Sequence, residues 1–481
     1  MVVAVRQWRW VAVACALAFS SQGCGEDTPS KPDALGWVSV QDGRLVDEAG
    51  RELILRGMNA RIEGVFDVVF ADGRERLEPI PLFGQEDADT MASLGFNYLR
   101  LPINWSGLEP EEGQFDMDYL RRVDEVVEHC RNAGLYVLID FHQDAYSKEI
   151  GEDGAPYWAI YPPAEFTLEG PLEDLAERRA SAQVLEAFEA FFDNTEGLMD
   201  RFLPAVEMVV ARYAGDSAVI GFEIMNEPVA FHVSDGINKL FGFYEKVTET
   251  IRGIDSRHTI WMEPDSSRNL LLVADAPRSF PDDNIVYTPH MYPGFSDSED
   301  WGVDEWVEEL TFTYEQMVKE KRSWGGALVL GEWGANPRYE SSIPYIRASR
   351  QIFNQHLMGE TFWLWKENCQ DDWGLFAYNE LDDSWSLDEL AAKELGTPTI
   401  HAAPGTFESL TFDPSTSELT ATLNVSSSGW AQLYLPTRWY SEVPVVTLNG
   451  APLAVTPLEH DRYEALLPAG TRTLVVTPAT P

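Results

Sequence analysis

Two glutamates stand at the ends of apolar stretches, where a buried strand would leave the hydrophobic core. Glu227 closes VIGFEIMNE (219–227), directly before Pro228, and Glu332 lies near the end of ALVLGEW (327–333). They are 332 − 227 = 105 residues apart in the chain. One carboxylic acid can protonate a leaving oxygen while a second carboxylate attacks the neighbouring carbon, which is the chemistry of glycoside hydrolysis.

Other side chains that could act with this pair also follow apolar stretches. They are Arg100, His142, Asp144, Asn226, Glu263, His290, Tyr292, Trp363 and Trp365. Any one of them alone is more often a cap or a solvated loop residue. Together they need a functional explanation, because buried charges are costly unless each has a partner. An arginine, histidines and sugar-stacking indoles beside two carboxylates suit sugar hydrolysis.

Eight apolar stretches rich in β-branched and aromatic residues predict eight strands. They span 52–60, 97–103, 136–142, 219–227, 258–264, 284–292, 327–333 and 360–366. Because apolar residues run almost without interruption, these strands are predicted to be parallel and covered on both faces. Amphipathic helices are predicted between them at 87–95, 117–134, 198–215 and 304–325.

The alternation of strands and helices predicts an α/β fold, a (β/α)8 TIM barrel with long insertions. The carboxyl ends of barrel strands and the loops after them build the active site, so the polar side chains named above should meet at one rim. A doubly wound sheet is the alternative, but it rarely has eight parallel strands, and the sequence has no dinucleotide fingerprint.

The residue pattern of the sequence changes after about residue 400. Short alternating strands are separated by Ser, Thr and Pro, and Asn449-Gly450 is a typical hairpin turn. These features predict a small antiparallel β-sandwich, for which we expect a structural role. The predicted domains are a signal peptide at 1–23, a linker at 24–35, the barrel at 36–398 and the sandwich at 399–481.

The N-terminus has the pattern of an export signal. Arg6 and Arg9 precede an apolar run at 10–19, small residues follow, and no acidic residue occurs before Cys24. Cys24 stands where a bacterial lipoprotein is lipidated, although Ser21 replaces the usual Leu; ordinary cleavage nearby is the alternative. We expect a protein attached through lipidated Cys24 to the outer membrane or cell surface, or otherwise secreted.

Composition excludes some classes of function. The chain has 35 Lys and Arg against 79 Asp and Glu, a formal charge of -44 that argues against nucleic-acid binding. Without a CxxC, HExxH or Gly-rich phosphate motif, neither a metal nor a cofactor is predicted. Whether Cys130 and Cys369 pair is left open, and we expect a monomer.

Five motifs in order resemble the retaining β-glycosidases of glycoside hydrolase family 5: RLPINW, NEP, HMY, GEWG and FWLWK. The resemblance implies that Glu227 is the acid/base and Glu332 the nucleophile. It further implies that Asn226 holds the sugar 2-OH, that Arg100 and Tyr292 support the nucleophile, and that His142 and His290 bind the sugar in the -1 subsite. The indoles of Trp363 and Trp365 would contact the sugar, and no cofactor is implied.

The stretch LIDFHQDAYS (138–147), with LRGMN, a long insertion after the third strand and the C-terminal sandwich, is similar to the endoglycoceramidases. These enzymes release an intact oligosaccharide from ceramide in glycosphingolipids, and Asp144 would bind sugar. Residues 157–202 and 231–244 could line an apolar groove for ceramide or simply cover barrel helices. The alternatives are a family 5 β-glucanase, cellulase or mannanase, and a non-catalytic carbohydrate-binding lipoprotein.

The expected mechanism is double displacement with retention. We expect the negative charge of Glu332 to raise the pKa of Glu227, which keeps the acid protonated. Two further glutamates are given structural roles: Glu263 as a rim residue partnered by Arg268, and Glu223 as a barrel-core carboxylate with an arginine partner.

Overall fold

The computed structural model describes residues 29–32, 35–268, 274, 280–292, 303–369 and 373–479. The predicted signal peptide, Cys24 and most of the predicted linker lie outside the described residues. Residues Pro32–Pro481 belong to one compact unit. No helix in the described part of the chain is both long and apolar enough to span a membrane.

All eight predicted strands occur and form a closed parallel barrel, so the predicted TIM-barrel fold is confirmed. Three short strands precede it: β1 (Val38–Gln41), β2 (Arg44–Asp47) and β3 (Arg51–Leu53). The barrel strands are β4 (Arg56–Asn59), β5 (Tyr98–Ile103), β6 (Tyr136–Phe141), β7 (Val219–Glu223), β8 (Thr259–Met262), β9 (Ile285–Tyr287) with β10 (His290–Met291), β11 (Ala327–Trp333) and β12 (Gly359–Phe362). Strands β9 and β10 are two pieces of the sixth strand and both pair with β11. Pairing of β12 with β4 closes the ring.

The glycine of LRGMN makes room for a large side chain in the barrel interior. Gly57 on β4 is paired with Tyr98 on one side and Thr361 on the other. A Cβ on Gly57 would lie 2.2 Å from the Tyr98 ring. Tyr98 therefore fills the interior, together with Trp261, and the cluster continues to Val38 on β1. The N-terminal strands close the amino end of the barrel.

Ten helices are described: α1 (Gln85–Ser93), α2 (Trp105–Leu108), α3 (Met117–Asn132), α4 (Leu175–Arg179), α5 (Ala182–Phe192), α6 (Leu198–Tyr213), α7 (Gly236–Ile254), α8 (Val303–Trp324), α9 (Ser342–His356) and α10 (Glu389–Leu395). The four predicted helices are confirmed as α1, α3, α6 and α8. Helix α3 begins at Asp116, whose side chain accepts two backbone N–H groups, a cap that stabilises a helix by about 1 kcal/mol. The apolar face of this amphipathic helix is buried and includes Leu120, Val123, Val127 and Cys130.

The C-terminal region forms the predicted antiparallel sheets. After a hairpin of β13 (Phe376–Asn379) and β14 (Ser384–Leu387) come β15 (Thr399–Pro404), β16 (Thr406–Asp413), β17 (Glu418–Val425), β18 (Gly429–Tyr434), β19 (Val445–Leu448), β20 (Ala451–Pro452), β21 (Thr456–Pro457), β22 (Arg462–Leu467) and β23 (Gly470–Thr477). One sheet has the order β1-β2-β3-β15-β18-β22-β21, and the other β16-β17-β23-β19-β20. The first sheet thus joins both ends of the chain. The predicted strand at 52–60 is split between this sheet and the barrel.

The sandwich packs against the amino end of the barrel. His401 Nε2 lies 3.0 Å from the carbonyl oxygen of Gly95, and Arg462 donates to that of Gly134 at 3.1 Å. Both glycines follow helices and precede barrel strands β5 and β6, so they mark the end opposite the carboxyl rim. Tyr434 and Tyr440 are buried. This location supports the expected structural role of the sandwich.

Candidate active site

Arg100 stands at the centre of the carboxyl-end rim. It lies on β5 and is fully buried, with its Nε and Nη2 atoms donating to Glu223 at 2.8 and 3.0 Å. Nη1 donates to Glu332 Oε1 at 2.6 Å, and Nη2 lies 3.0 Å from Asp140 Oδ2. Burial lowers the pKa of Arg100, but these three carboxylates raise it well above its ordinary value. Arg100 is a fixed positive charge, and the predicted arginine partner of Glu223 is confirmed.

Asn226 is oriented by partners on both sides of its amide. Its Oδ1 accepts from Arg100 Nη2 at 2.8 Å, and its Nδ2 donates to the carbonyl oxygen of Gln143 at 3.0 Å. Gln143 Nε2 donates back to the carbonyl oxygen of Asn226 at 2.7 Å. The loops after β6 and β7 are therefore tied together beside Glu227.

Glu332 is held through both carboxylate oxygens. Arg100 binds Oε1, while the Tyr292 hydroxyl donates to Oε2 at 2.7 Å. His290 Nδ1 lies 3.5 Å from the same Oε2 atom. Gly331 leaves space for that imidazole, because a Cβ there would lie 2.8 Å from His290 Nε2. A carboxylate whose two oxygens are fixed in this way is suited to act as a nucleophile.

Glu227 reaches the same place from the loop after β7, which ends at Glu223 rather than at the predicted 227. Its φ of 37° lies in the left-handed region, a strain of roughly 1–3 kcal/mol that is often found at functional sites. Its backbone N–H donates to Glu263 Oε1 at 3.1 Å, and its Oε1 lies 3.0 Å from His290 Nδ1. One carboxylate oxygen each of Glu227 and Glu332 lie within 4.8 Å of one another.

The pKa of Glu227 differs from expectation. Burial raises it, but the hydrogen bond and charge of His290, with the charge of Arg179, lower it more, to about 2. The expectation of a raised pKa is therefore wrong for the free protein. Burial lowers the pKa of His290, but Glu263 and Glu332 raise it well above its ordinary value. The proton near Glu227 therefore resides on His290.

His142 and Trp363 form a second wall of the site. His142 Nδ1 lies 2.6 Å from Asp140 Oδ2, and its ring is nearly parallel to that of Trp363, at 12° with centroids 6.1 Å apart. Burial and the charge of Arg100 lower the pKa of His142 to about 3, so the ring is neutral. With Nδ1–H donated to Asp140, Nε2 is left for other contacts.

A cavity of about 630 Å³ lies at this rim. It is lined by Arg61, Phe66, His142, Asp144, Glu152, Leu172, Asp174, Leu175, Ala176, Arg179, Asn226, Glu227, Tyr292, Glu332, Trp363, Glu367 and Trp373. Seven of the predicted site residues are among them. Arg100 and His290 lie behind the wall, in contact with the two glutamates.

Two residues are not where the sequence placed them. Trp365 does not line the cavity: its Nε1 donates to Asp87 at 3.0 Å and its ring packs on Phe376. Glu263 does not pair with Arg268, which donates instead to Glu320 at 3.1 Å. Both residues lie beyond the last residue of their strands, where loop dihedrals set the direction of each side chain, so sequence order alone did not distinguish inward from outward side chains.

The insertion after β6 supplies a wall that the motifs did not indicate. Arg179, the last residue of α4, binds both carboxylate oxygens of Asp144, with Nε to Oδ1 at 2.7 Å. Leu172, Leu175 and Ala176 line the cavity beside it. The predicted sugar-binding Asp144 thus has a charged partner in the free protein, and the neighbouring wall is apolar.

Arg61 joins three buried glutamates at another side of the cavity. It donates to Glu78 at 2.9 Å and Glu152 at 3.3 Å, and it also contacts Glu367. Arg61 follows β4 by two residues, so the rule that strand ends build the site could have found it. Cys369 also contacts Arg61, and both Cys369 and Cys130 are free.

Among the described residues, two groups of side chains have atoms close enough to ligate a metal ion: Glu223 with Glu263 and His290, and Glu227 with His290 and Glu332. Arg100 binds Glu223 and Glu332, so a guanidinium already supplies positive charge to both groups. That no metal is needed remains a prediction.

Comparison with known proteins places the chain in a family. The profile described as cellulase (glycosyl hydrolase family 5) matches residues 46–369, more than half of the chain. The chain belongs to glycosyl hydrolase family 5. It is a glycoside hydrolase by this membership, and the order of its motifs agrees with the site geometry.

The proteins similar to this chain include endoglycoceramidases. The chain is 29% identical over 263 residues to endoglycoceramidase I of Rhodococcus hoagii, covering 52% of this chain and 51% of that protein. It is 26% identical over 268 residues to an endoglycoceramidase of Cyanea nozakii, covering 49% and 52%. The matches therefore span about half the length of these relatives. A crystal structure of endogalactoceramidase has a TM-score of 0.77 and 25% identity, covering 92% of this chain and all of that one.

Proposed function

We propose that this family 5 protein is a retaining endo-β-glycosidase that cleaves the bond between oligosaccharide and ceramide in glycosphingolipids. The observation that carries the retaining mechanism is the approach of Glu227 and Glu332 oxygens to within 4.8 Å. Retaining enzymes place their carboxyl groups about 5–5.5 Å apart, whereas inverting enzymes need about 6.5–9.5 Å to admit a water.

In the first step, Glu332 attacks the anomeric carbon of the sugar. Arg100 and Tyr292 fix its two oxygens. Glu227 gives a proton to the glycosidic oxygen as the bond to ceramide breaks. The products are the free lipid alcohol and a glycosyl ester on Glu332.

In the second step, water replaces ceramide beside Glu227. Glu227, now ionised, accepts a proton from the water as its oxygen attacks the anomeric carbon. The ester bond to Glu332 breaks, and the sugar leaves with its original anomeric configuration. Asn226, held by Arg100 and Gln143, is placed to bind the sugar 2-OH near the reacting carbon.

The assignment of ceramide rests on two further observations. The relatives and the structural neighbour are named for ceramide glycosides. One cavity wall carries Leu172, Leu175 and Ala176 on the side of Arg179, whose charge acts on Glu227. Because Glu227 faces the leaving group in this mechanism, these side chains would meet alkyl groups of the lipid. A cellulase acting on glucan is the second candidate, because the matching family profile carries that description.

One incubation separates these functions. The purified protein is given lactosylceramide or a ganglioside in one tube and carboxymethylcellulose in another, with Glu332→Gln as control. Intact oligosaccharide plus ceramide supports the proposal. Shortened glucan alone identifies a cellulase, and no product with either substrate favours a non-catalytic carbohydrate-binding lipoprotein.

The export signal and Cys24 complete the proposal at the level of the cell. A lipid on Cys24 would hold the enzyme at the outer membrane or cell surface, and without it the enzyme would be secreted. Partition of wild type and Cys24→Ser into detergent-rich and aqueous phases tests this. Light scattering tests the expected monomer.

A further inference from the structure

Glu263 is a buried carboxylate at the site that the mechanism above does not use. It follows β8 directly and is 2% exposed. Its Oε1 accepts the backbone N–H of Glu227 at 3.1 Å and lies 3.1 Å from His290 Nε2. Arg100 Nη2 is 3.6 Å from the same oxygen. One atom of Glu263 therefore contacts both the acid/base loop and the imidazole behind it.

His290 is held by acids on both ring nitrogens. Nε2 faces Glu263, while Nδ1 lies 3.0 Å from Glu227 Oε1 and 3.5 Å from Glu332 Oε2. The ring is fully buried, so its orientation is fixed by these contacts and by Gly331. Nδ1 is hydrogen-bonded to Glu227, whereas Nε2 lies within ion-pair distance of Glu263 without hydrogen-bond geometry. An imidazole with a carboxyl group near each nitrogen binds its second proton tightly, because both groups attract the added positive charge.

We propose that Glu263 is a positioning residue: it fixes His290 between the two catalytic carboxylates, and the Glu263–His290 pair holds the proton that Glu227 delivers to the leaving oxygen. The inference rests on the proposed double displacement at Glu332 but not on ceramide as the leaving group. It assigns a role to a glutamate outside the catalytic pair.

Over one catalytic turnover, the proton that leaves His290 is replaced by one from water. Before reaction the imidazole carries protons on Nδ1 and Nε2, and Glu227 is ionised. As the glycosidic bond breaks, the Nδ1 proton passes to Glu227 and from Glu227 to the leaving oxygen, so His290 becomes neutral and Glu227 is again ionised. In the second step Glu227 takes a proton from water and returns one to Nδ1.

The charges around His290 determine how the pair responds to pH. The groups that face it are Asp140, Glu223, Glu227, Glu263 and Glu332, with Arg100 as the cation. Burial raises the pKa of Glu263 well above its ordinary value, while the charges of His290 and Arg100 lower it, so the Glu263 carboxyl group and His290 compete for one proton. Glu263→Gln removes this carboxyl group from the pair, while its amide oxygen can still accept the Glu227 N–H. The pair then holds its proton less tightly, so the group that must be protonated loses it at lower pH.

The test compares pH profiles of kcat/KM for wild type, Glu263→Gln and Glu263→Asp on aryl β-glycosides with poor and good leaving groups. For the poor leaving group we expect Glu263→Gln to lose roughly 10²-fold at pH 7 and its alkaline limb to move down by about one pH unit. For the good leaving group the loss should be below about tenfold, since little acid assistance is needed. Glu263→Asp keeps a carboxyl group that can share the proton with His290, and it should retain the wild-type limb.

The matched control is Glu320→Gln, a buried glutamate on α8 that binds Arg268 and Tyr287 away from the cavity. The alkaline limb of its kcat/KM profile should not move.

An independent readout is the ¹⁵N spectrum of the eight histidines, with His290 assigned by His290→Asn. A neutral His290 ring at pH 7 in wild type, or an unmoved limb in folded Glu263→Gln, overturns the inference. Inactivity of wild type on every glycoside would refute the proposed function, while the spectrum would still decide the state of His290.

Discussion

The two carboxylates at the rim differ in how they are held and in how far they are exposed. Glu332 uses both oxygens, one toward Arg100 and one toward Tyr292, whereas the Glu227 carboxylate contacts His290 and stays partly exposed. The buried, doubly bound group suits attack on carbon. The more exposed group suits proton exchange with the leaving oxygen and then with water.

Replacing the acid/base should separate substrates by leaving group. Glu227→Gln should lower kcat on a natural glycolipid by roughly 10²–10⁴-fold, because the departing alkoxide is no longer protonated. An activated aryl glycoside, whose leaving group needs no proton, should still form the glycosyl-enzyme at a rate near that of wild type. Burst kinetics with a dinitrophenyl glycoside measures this; equal and complete loss on both substrates would contradict the role of Glu227.

Gly331 should be intolerant of even one methyl group. A Cβ would lie 2.6 Å from Thr288 Oγ1 and 2.8 Å from His290 Nε2, so Gly331→Ala must displace His290. Overpacking of this kind costs about 1–3 kcal/mol, and we expect kcat to fall while the fold persists. Thermal unfolding and kcat are compared with Gly242→Ala, a helical position with open space around it. Unchanged kcat in Gly331→Ala would show that His290 need not stay in place.

At the scale of elements, the short helix α4 links the insertion after β6 to the acid/base residue Glu227. The charge of Arg179 lowers the pKa of Glu227, and its side chain binds Asp144. Arg179→Gln removes a positive charge beside Glu227, so Glu227 and His290 should hold their shared proton to higher pH and the alkaline limb of kcat/KM should move to higher pH. This direction is opposite to that expected for Glu263→Gln. An alkaline limb that moves to lower pH, or that does not move, would contradict the electrostatic coupling between Arg179 and Glu227.

The apolar wall near α4 should matter only for lipid-linked substrates. Leu175→Asp places a charge where the alkyl part of the leaving group is proposed to lie, and KM for lactosylceramide should rise about tenfold. KM for a soluble aryl lactoside should change little. Leu390→Asp, an exposed leucine on α10, is the matched control. Equal KM changes for both substrates would place the lipid elsewhere.

The elements of the barrel could be predicted from the sequence because each strand is a continuous apolar stretch and four helices have a clear apolar face. The motif glutamates could be predicted because barrel geometry sends strand ends to one rim. The inward turn of Glu263 and the outward turn of Trp365 depend on loop dihedrals after the strands, which local composition does not encode. The contact between Arg179 and Asp144 depends on how a long insertion folds back, and no local pattern predicts it.

At the scale of the whole molecule, strands from the N-terminal and C-terminal regions form one sheet at the amino end of the barrel. Residues 38–53 pair with the C-terminal strands, a long-range contact that no short pattern of residues indicates. Because β3 in this sheet directly precedes β4, the sheet holds the first barrel strand at its amino end. The catalytic rim lies at the other end, so loops there can vary without disturbing the sandwich.

Acid should weaken the attachment of sandwich to barrel. Burial and the charge of Arg462 lower the pKa of His401 to about 3, while an unfolded histidine titrates near 6.5. A lowered folded pKa gives stability that is present above pH 6.5 and is lost as pH falls toward 3, at up to about 1.4 kcal/mol per pH unit. His401→Gln should flatten the fall in unfolding free energy between pH 6 and pH 4, measured by urea titration. An unchanged slope would mean that His401 is not the group responsible.

The central claim is that Glu332 forms a covalent bond to the sugar while Glu227 does not. A 2-deoxy-2-fluoro aryl β-glycoside slows the second step and traps the glycosyl-enzyme, whose mass and labelled peptide can be read by mass spectrometry. We predict one added glycosyl group, located on Glu332 and absent from Glu332→Gln. A label on Glu227, or turnover of natural substrate to the inverted anomer without any labelled enzyme, would contradict the account.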